Sequence, residues 1–181
     1  MKNFILVALL IIPAFLSAQN ALPTEFTWTK ENGLTNFIVI SVPGKTKSEL
    51  YSKASEWERK KGLAIKNFET FESFGSEGIE ERLWCKKFMG SENCNPVKYL
   101  IDLEFKDDKI KFAVVFIDVK IDPTKGWFPY ELHDTTNYYN KKGEMKAVVK
   151  PLLDALPTYF NNLSNDLKTF ITTEAPKKSE W

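Results

Sequence analysis

Between residues 97 and 121 the chain alternates apolar and polar side chains about one short break, and few folds accommodate that pattern. Val97, Tyr99, Ile101, Leu103 and Phe105 fall on one face, with Lys98, Leu100, Asp102, Glu104 and Lys106 on the other. A period of two marks a strand, because successive strand side chains point to opposite faces. Asp107-Asp108 is the tip, and 109–121 returns as the second strand. A two-residue tip sets Lys106 opposite Lys109. Leu103 then meets Phe112, Ile101 meets Val114 and Tyr99 meets Phe116, with Glu104 beside Lys111 on the other face. Each pair is chemically matched, which supports this register.

Other elements follow from local signals. Residues 36–42 form a β-rich run stopped by Pro43-Gly44, mostly apolar on both alternating sets and so expected to be central or covered on both faces. Thr46-Lys47-Ser48-Glu49 fits a capping box that opens a helix. Leu50, Ala54 and Trp57 recur at helical spacing, Arg59, Lys60 and Lys61 suit the negative end of the dipole, and Gly62 is a natural stop. Residues 63–71 read as a strand, 73–78 as a loop marked by Gly75 and Gly78, and 79–88 as another strand before a loop with Gly90 and Asn93. Residues 122–144 form a long arm holding Trp127, Phe128, Tyr130, Tyr138 and Tyr139. From Met145 a helical period runs through Val149, Leu152, Leu156, Phe160, Leu163, Leu167 and Phe170. Pro151 and Pro157 are expected to kink or divide it, since each lacks an N–H and clashes with the preceding turn.

The order strand, helix, four strands, helix predicts an α+β fold: an antiparallel sheet packed against two helical segments. It resembles the TBP-like fold, and more specifically the DUF4468 family, a domain of unknown function in exported Bacteroidetes proteins. The likeness rests on the strand 37–42, on Lys47-Ser48-Glu49-Leu50-Tyr51 leading to Ala54 and Glu56-Trp57, and on 99–105 with Lys106-Asp107-Asp108-Lys109 and 112–118. It covers roughly residues 36–121. The Asp-Asp tip departs from an Asp-Gly turn. The resemblance implies a fold and no functional residues.

The first residues give an address. Lys2 precedes an apolar run at 4–16, and Ser17-Ala18 supplies small residues before Gln19. This is the order of a secretory signal peptide, and it is similar to export signals of that phylum. The run is too short to span a bilayer, and Gln19 rather than a lipid-accepting Cys follows the expected cut. The expected organisation is a leader at 1–18, a lead-in at 19–35, one domain at 36–173 and a polar tail at 174–181. Cleavage removes Lys2 from 25 basic residues, leaving 24 against 24 acidic ones. A neutral chain without a basic cluster argues against nucleic acid as partner. The expected location is periplasmic or released.

No motif of catalysis stands out. His133 is the only histidine, followed by Asp134. A hydrolase using His133 is the alternative reading, although no Gly-x-Ser-x-Gly or His-Glu-x-x-His accompanies it. Glu80 and Glu81 point to opposite faces of a strand, and Asp107 and Asp108 form a turn. Cys85 and Cys94 suit a disulfide across a loop base in an oxidising compartment. No cofactor or metal is expected.

Two surfaces are candidates for binding. One is the second face of the hairpin, read as Leu100, Ala113, Val115, Ile117, Val119 and Ile121. It contacts a partner or a second copy unless the arm covers it. The other is the arm's Trp127, Phe128, Tyr130, Tyr138 and Tyr139, which suit a sugar, peptide or protein unless they fold back. The leading expectation is a non-enzymatic interaction module of the cell envelope with a protein, peptide or glycan partner. A self-associating structural protein is a further alternative.

Overall fold

The computed structural model describes residues 22–70, 72–122 and 124–173, so the expected leader and polar tail lie outside it. A small hairpin of β1 (Trp28–Thr29) and β2 (Gly33–Leu34) leads into β3 (Phe37–Ser41) and α1 (Lys47–Lys61). Then come β4 (Ala64–Thr70), β5 (Ser73–Phe88), β6 (Ser91–Lys106), β7 (Lys109–Val119) and β8 (Phe128–Tyr130). One turn of 3-10 helix (Thr136–Tyr138) precedes α2 (Lys150–Thr172). The main sheet runs β3-β7-β6-β5-β4, with β8 also on β7, and every pairing is antiparallel. The α+β architecture matches the expectation.

The central hairpin keeps the expected register from its tip to Ile101↔Val114. There it shifts: Leu100 pairs with Phe116, and Tyr99 with Ile117 rather than with Phe116. Val115 is the extra residue of a β-bulge. A one-residue slip exchanges the two faces of a strand. Ile110, Phe112 and Val114 therefore face the core before the bulge, and Ile117 and Val119 face it afterwards.

The Asp-Asp tip has a use that an Asp-Gly tip lacks. Asp108 adopts φ 65°, a left-handed conformation that Asp tolerates. Its carboxylate accepts from Gly44 N at 2.7 Å, and its backbone bonds Val42 N and Lys45 O. Asp107 accepts from Lys47 N at 2.7 Å, in the first turn of α1, where a negative charge is favoured. The tip thus clamps the turn between β3 and α1. The Thr46–Glu49 capping box and the left-handed Gly62 stop are both present.

Other elements differ from expectation. Residues 73–78 are strand, not loop, and the turn lies before Ser73. Gly78 is there for packing: a Cβ on it would lie 2.3 Å from the Tyr99 hydroxyl. Asn93 belongs to β6, and the hairpin between β5 and β6 turns at Met89-Gly90. α2 starts at Lys150, with Pro151 in its first turn, where no N–H is needed. Pro157 lies inside α2 and does not divide it. The expected lead-in joins the core: Phe26 is buried between Phe112 and Phe160, and Asn161 holds its backbone N–H and C=O.

One core fills the space between the inner sheet face and the two helices. α1 contributes Leu50, Ala54 and Trp57, and α2 contributes Leu152, Leu156, Phe160, Leu167 and Ile171. The Trp57 indole N–H and the Lys61 ammonium both reach Asp166 on α2, at 2.6 and 2.9 Å.

Glu58 is also buried, held by the Ser76 hydroxyl at one oxygen and with no hydrogen-bond partner among the described residues at the other. Burial pushes its carboxyl up from 4.5 to about 8. The protonated form suits the fold, so its stabilising effect is complete below the ordinary carboxylate range. That effect is lost as pH rises through about 8. Glu58→Gln removes this titration. In urea melts its stability relative to wild type should rise, on the order of 2–4 kcal/mol, between about pH 5 and about pH 9. An unchanged difference across that range would contradict the assignment.

Candidate functional site

One face of the sheet packs on the helices, and the other lies open. Its rows follow from the register. Lys66, Gly75, Asp102, Ala113 and Phe37 cross the sheet in one row, and Ser73, Glu104, Lys111 and Val39 in the next. Leu100 and Phe116 pair in a third, and Lys98 and Asp118 in a fourth. An apolar middle of Phe37, Val39, Leu100, Ala113, Val115 and Phe116 is thereby set among charge pairs.

The pairs are ordered by their neighbours. Lys98 meets Asp118 at 2.8 Å, each side chain only about one fifth exposed. Its ammonium also lies over the rings of Phe116 and Trp127, at 5.6 and 5.3 Å from their centroids. Lys111 bonds Glu104 and stands 5.3 Å over Phe37. Burial, and then the Glu104 charge, raise the Asp102 carboxyl. Two shallow grooves cross the face. One of about 160 Å³ has Leu22, Phe37 and Val39 for its apolar wall, and one of about 360 Å³ contains Leu100, Asp102 and Val115.

The expected surface residues divide between this face and the interior. Leu100 is half-buried and Val115 is 52% exposed, both on the open face. Ile117 and Val119 are not: the bulge at Val115 turns both into the core. Ile121 is exposed beyond the end of β7. Phe37 and Val39 belong to the face and lie outside the expected surface, while Lys98, read onto the polar side of the hairpin, stands at its rim. Phe37, Ile38, Val39 and Ile40 are all apolar, so the expectation of a strand central or covered on both faces fails: β3 ends the sheet order, with Ile38 and Ile40 buried and Phe37 and Val39 on the open face.

Much of the aromatic arm folds back. Tyr138 is buried, stacks on Tyr130 at 5.0 Å and packs against Trp28, while Tyr130 meets Trp84. Tyr138 is therefore a core residue and not a contact surface. Tyr139 is half-buried under Lys30. Phe128 is 41% exposed, and Trp127 reaches the end of the open face at Lys98. The Tyr138 hydroxyl donates to the Glu131 carbonyl. The Tyr130 hydroxyl and the indole N–H groups of Trp28 and Trp84 are buried without a hydrogen-bond partner among the described residues. Burial pushes the Tyr130 hydroxyl up to about 12.

The chemistry-bearing residues do not converge. His133 is exposed on the wall of a shallow cleft of about 690 Å³ that Glu31 also lines. No hydrogen bond among the described residues engages its ring. The Asp134 carboxylate turns to the Thr136 hydroxyl and N–H, at 2.6 and 3.0 Å, which lowers its pKa. Cys85 and Cys94 stand opposite each other in the β5–β6 ladder and form a disulfide. Glu92 lies beside the two sulfurs, but their bond leaves no thiolate for a metal. Among the described residues no helix is long and apolar enough to cross a membrane. The disulfide is compatible with export.

No protein-family model matches the chain, and no curated protein matches it. Solved structures do. A DUF4468 family protein from Bacteroides ovatus ATCC 8483 superposes with a TM-score of 0.62 at 14% identity, over 82% of this chain and 90% of that one. A TBP-like protein from Parabacteroides distasonis ATCC 8503 gives 0.54 at 16% identity, over 77% and 92%. These likenesses show a TBP-like fold and support the DUF4468 resemblance; at such identities they carry nothing about activity.

The arm's hydroxyls offer a paired test of its packing. Tyr130→Phe removes a buried donor without a partner and should raise stability by about 1 kcal/mol. Tyr138→Phe removes a made hydrogen bond and should lower it by about 1 kcal/mol. Urea midpoints measure both, and equal effects would contradict the packing described.

Proposed function

We propose that this protein is an exported binding module of the cell envelope, and that it acts through the open sheet face without catalysing a reaction. The uncovered apolar middle of that face, framed by ordered ion pairs, is the observation that carries the reading. Apolar surface ringed by charge is typical of contact sites, since burial of the middle drives association and the rim selects the partner. The signal sequence supports the location, and the disulfide suits an oxidising compartment. The partner expected is a protein or peptide. His133 lines its cleft with no hydrogen bond from its ring to a nucleophile among the described residues, which supports binding over hydrolysis.

The test is recovery of envelope partners on the immobilised mature protein. Val115→Asp combined with Phe37→Asp should abolish it while leaving the circular dichroism spectrum unchanged, because Val115 is half exposed and Phe37 lies on the open face. Partner recovery undiminished by that pair would contradict the reading, as would a hydrolytic activity lost in His133→Ala.

A further inference from the structure

A cleft of about 460 Å³ lies apart from the open-face middle, between the C-terminal end of α1, the middle of β5 and α2. That volume falls within the range of small-molecule sites. Lys61, Glu80, Tyr99, Tyr159, Asn162 and Asp166 supply its polar side chains. Leu63 and Leu163 supply apolar wall.

The hydrogen-bonding capacity of the cleft is only partly used. Gly78 has no side chain, so the phenol end of Tyr99 lies directly against β5. The Tyr159 hydroxyl donates to the Tyr99 hydroxyl at 2.9 Å. The proton of Tyr99 then has no acceptor among the described residues. Burial, with the Glu80 charge adding to it, raises both phenols, so both remain proton donors at neutral pH. Glu80 accepts from Arg82 N at 3.1 Å and makes no ion pair among the described residues. The Asn162 amide is exposed and makes no hydrogen bond among them. Lys61 and Asp166 neutralise each other.

A ligand must therefore both donate and accept, and must carry no negative charge. Glu80 and the carbonyl end of α1 repel an anion. A wholly apolar molecule would leave the Tyr99 proton and the Glu80 oxygen unpaired. Hydroxyl groups donate and accept at once, and the C–H faces of a sugar ring suit Leu63 and Leu163. We propose that this cleft binds a neutral saccharide, with Tyr99 and Asn162 as donors and Glu80 as acceptor. The site is independent of the open-face contact.

Saturation-transfer NMR on the mature protein tests this, with glucose, galactose, mannose and N-acetylglucosamine as separate probes. At least one should receive saturation. Tyr99→Phe and the exposed-site Asn162→Ala should each weaken it by about tenfold, as expected for a lost hydrogen bond. The Val115→Asp, Phe37→Asp pair should leave it unchanged, which separates this site from the open face. No transfer to any of the four sugars would overturn the proposal, as would undiminished binding in both cleft variants. Binding of 1,4-diaminobutane with no sugar signal would also overturn it, by assigning the cleft to a cation.

Discussion

The bulge at Val115 determines what the rest of the molecule can be. β7 is the strand with most neighbours, pairing with β3 and β8 on one side and β6 on the other. Without the extra residue, Phe116 and Asp118 would point into the core and Ile117 and Val119 would point to solvent. An unpaired carboxylate in a core costs several kcal/mol, so that arrangement would not persist. The bulge instead lets both halves of β7 bury an aliphatic side. It also sets Asp118 beside Lys98 on the open face, and brings Ile117 opposite Tyr130 of β8. The aromatic stack of the arm, and with it the end of the open face at Trp127, depends on that placement.

A second set of ties holds the helices to the sheet. The carboxylates of Asp107 and Asp108 fasten the tip of the central hairpin to the start of α1. At the other end of α1, Trp57 and Lys61 fasten it to Asp166 of α2. Asn161 of α2 then grips the backbone of Phe26, bringing the chain before β1 into the core. All of these contacts lie on the covered side of the sheet or at its end. The other side is left to whatever the protein meets.

Much of this was legible from the sequence where one signal dominated. The capping box, the α1 face and the Gly62 stop are local, and they stand as read. The hairpin register was legible where apolar and polar residues alternate strictly, from the tip to Ile101. Beyond it, Val114-Val115-Phe116-Ile117 are all apolar, so alternation is silent about which side is buried. That is why Ile117 and Val119 were read onto the wrong face. Gly75 and Gly78 looked like loop punctuation because glycine has two uses, and only the position of Tyr99 reveals the second. The polar start of β6 carries no alternation, and its pairing with β5 includes the Cys85–Cys94 bond. The arm's rings were visible as a cluster, but their direction depends on Trp28 and Trp84, which are distant in the chain. The Tyr99–Tyr159 cleft left no sequence signal, since its polar groups come from four separate elements.

The most direct test compares two substitutions two residues apart on β7. Strict alternation places Val115 and Ile117 on one face and predicts equal effects for them. The bulge places them on opposite sides of the sheet. Urea unfolding of Val115→Asp should then show a loss below about 1 kcal/mol, and of Ile117→Asp a loss above about 4 kcal/mol or no folded protein. Equal losses, or a larger loss for Val115→Asp, would contradict the register from which the open face and its proposed role are drawn.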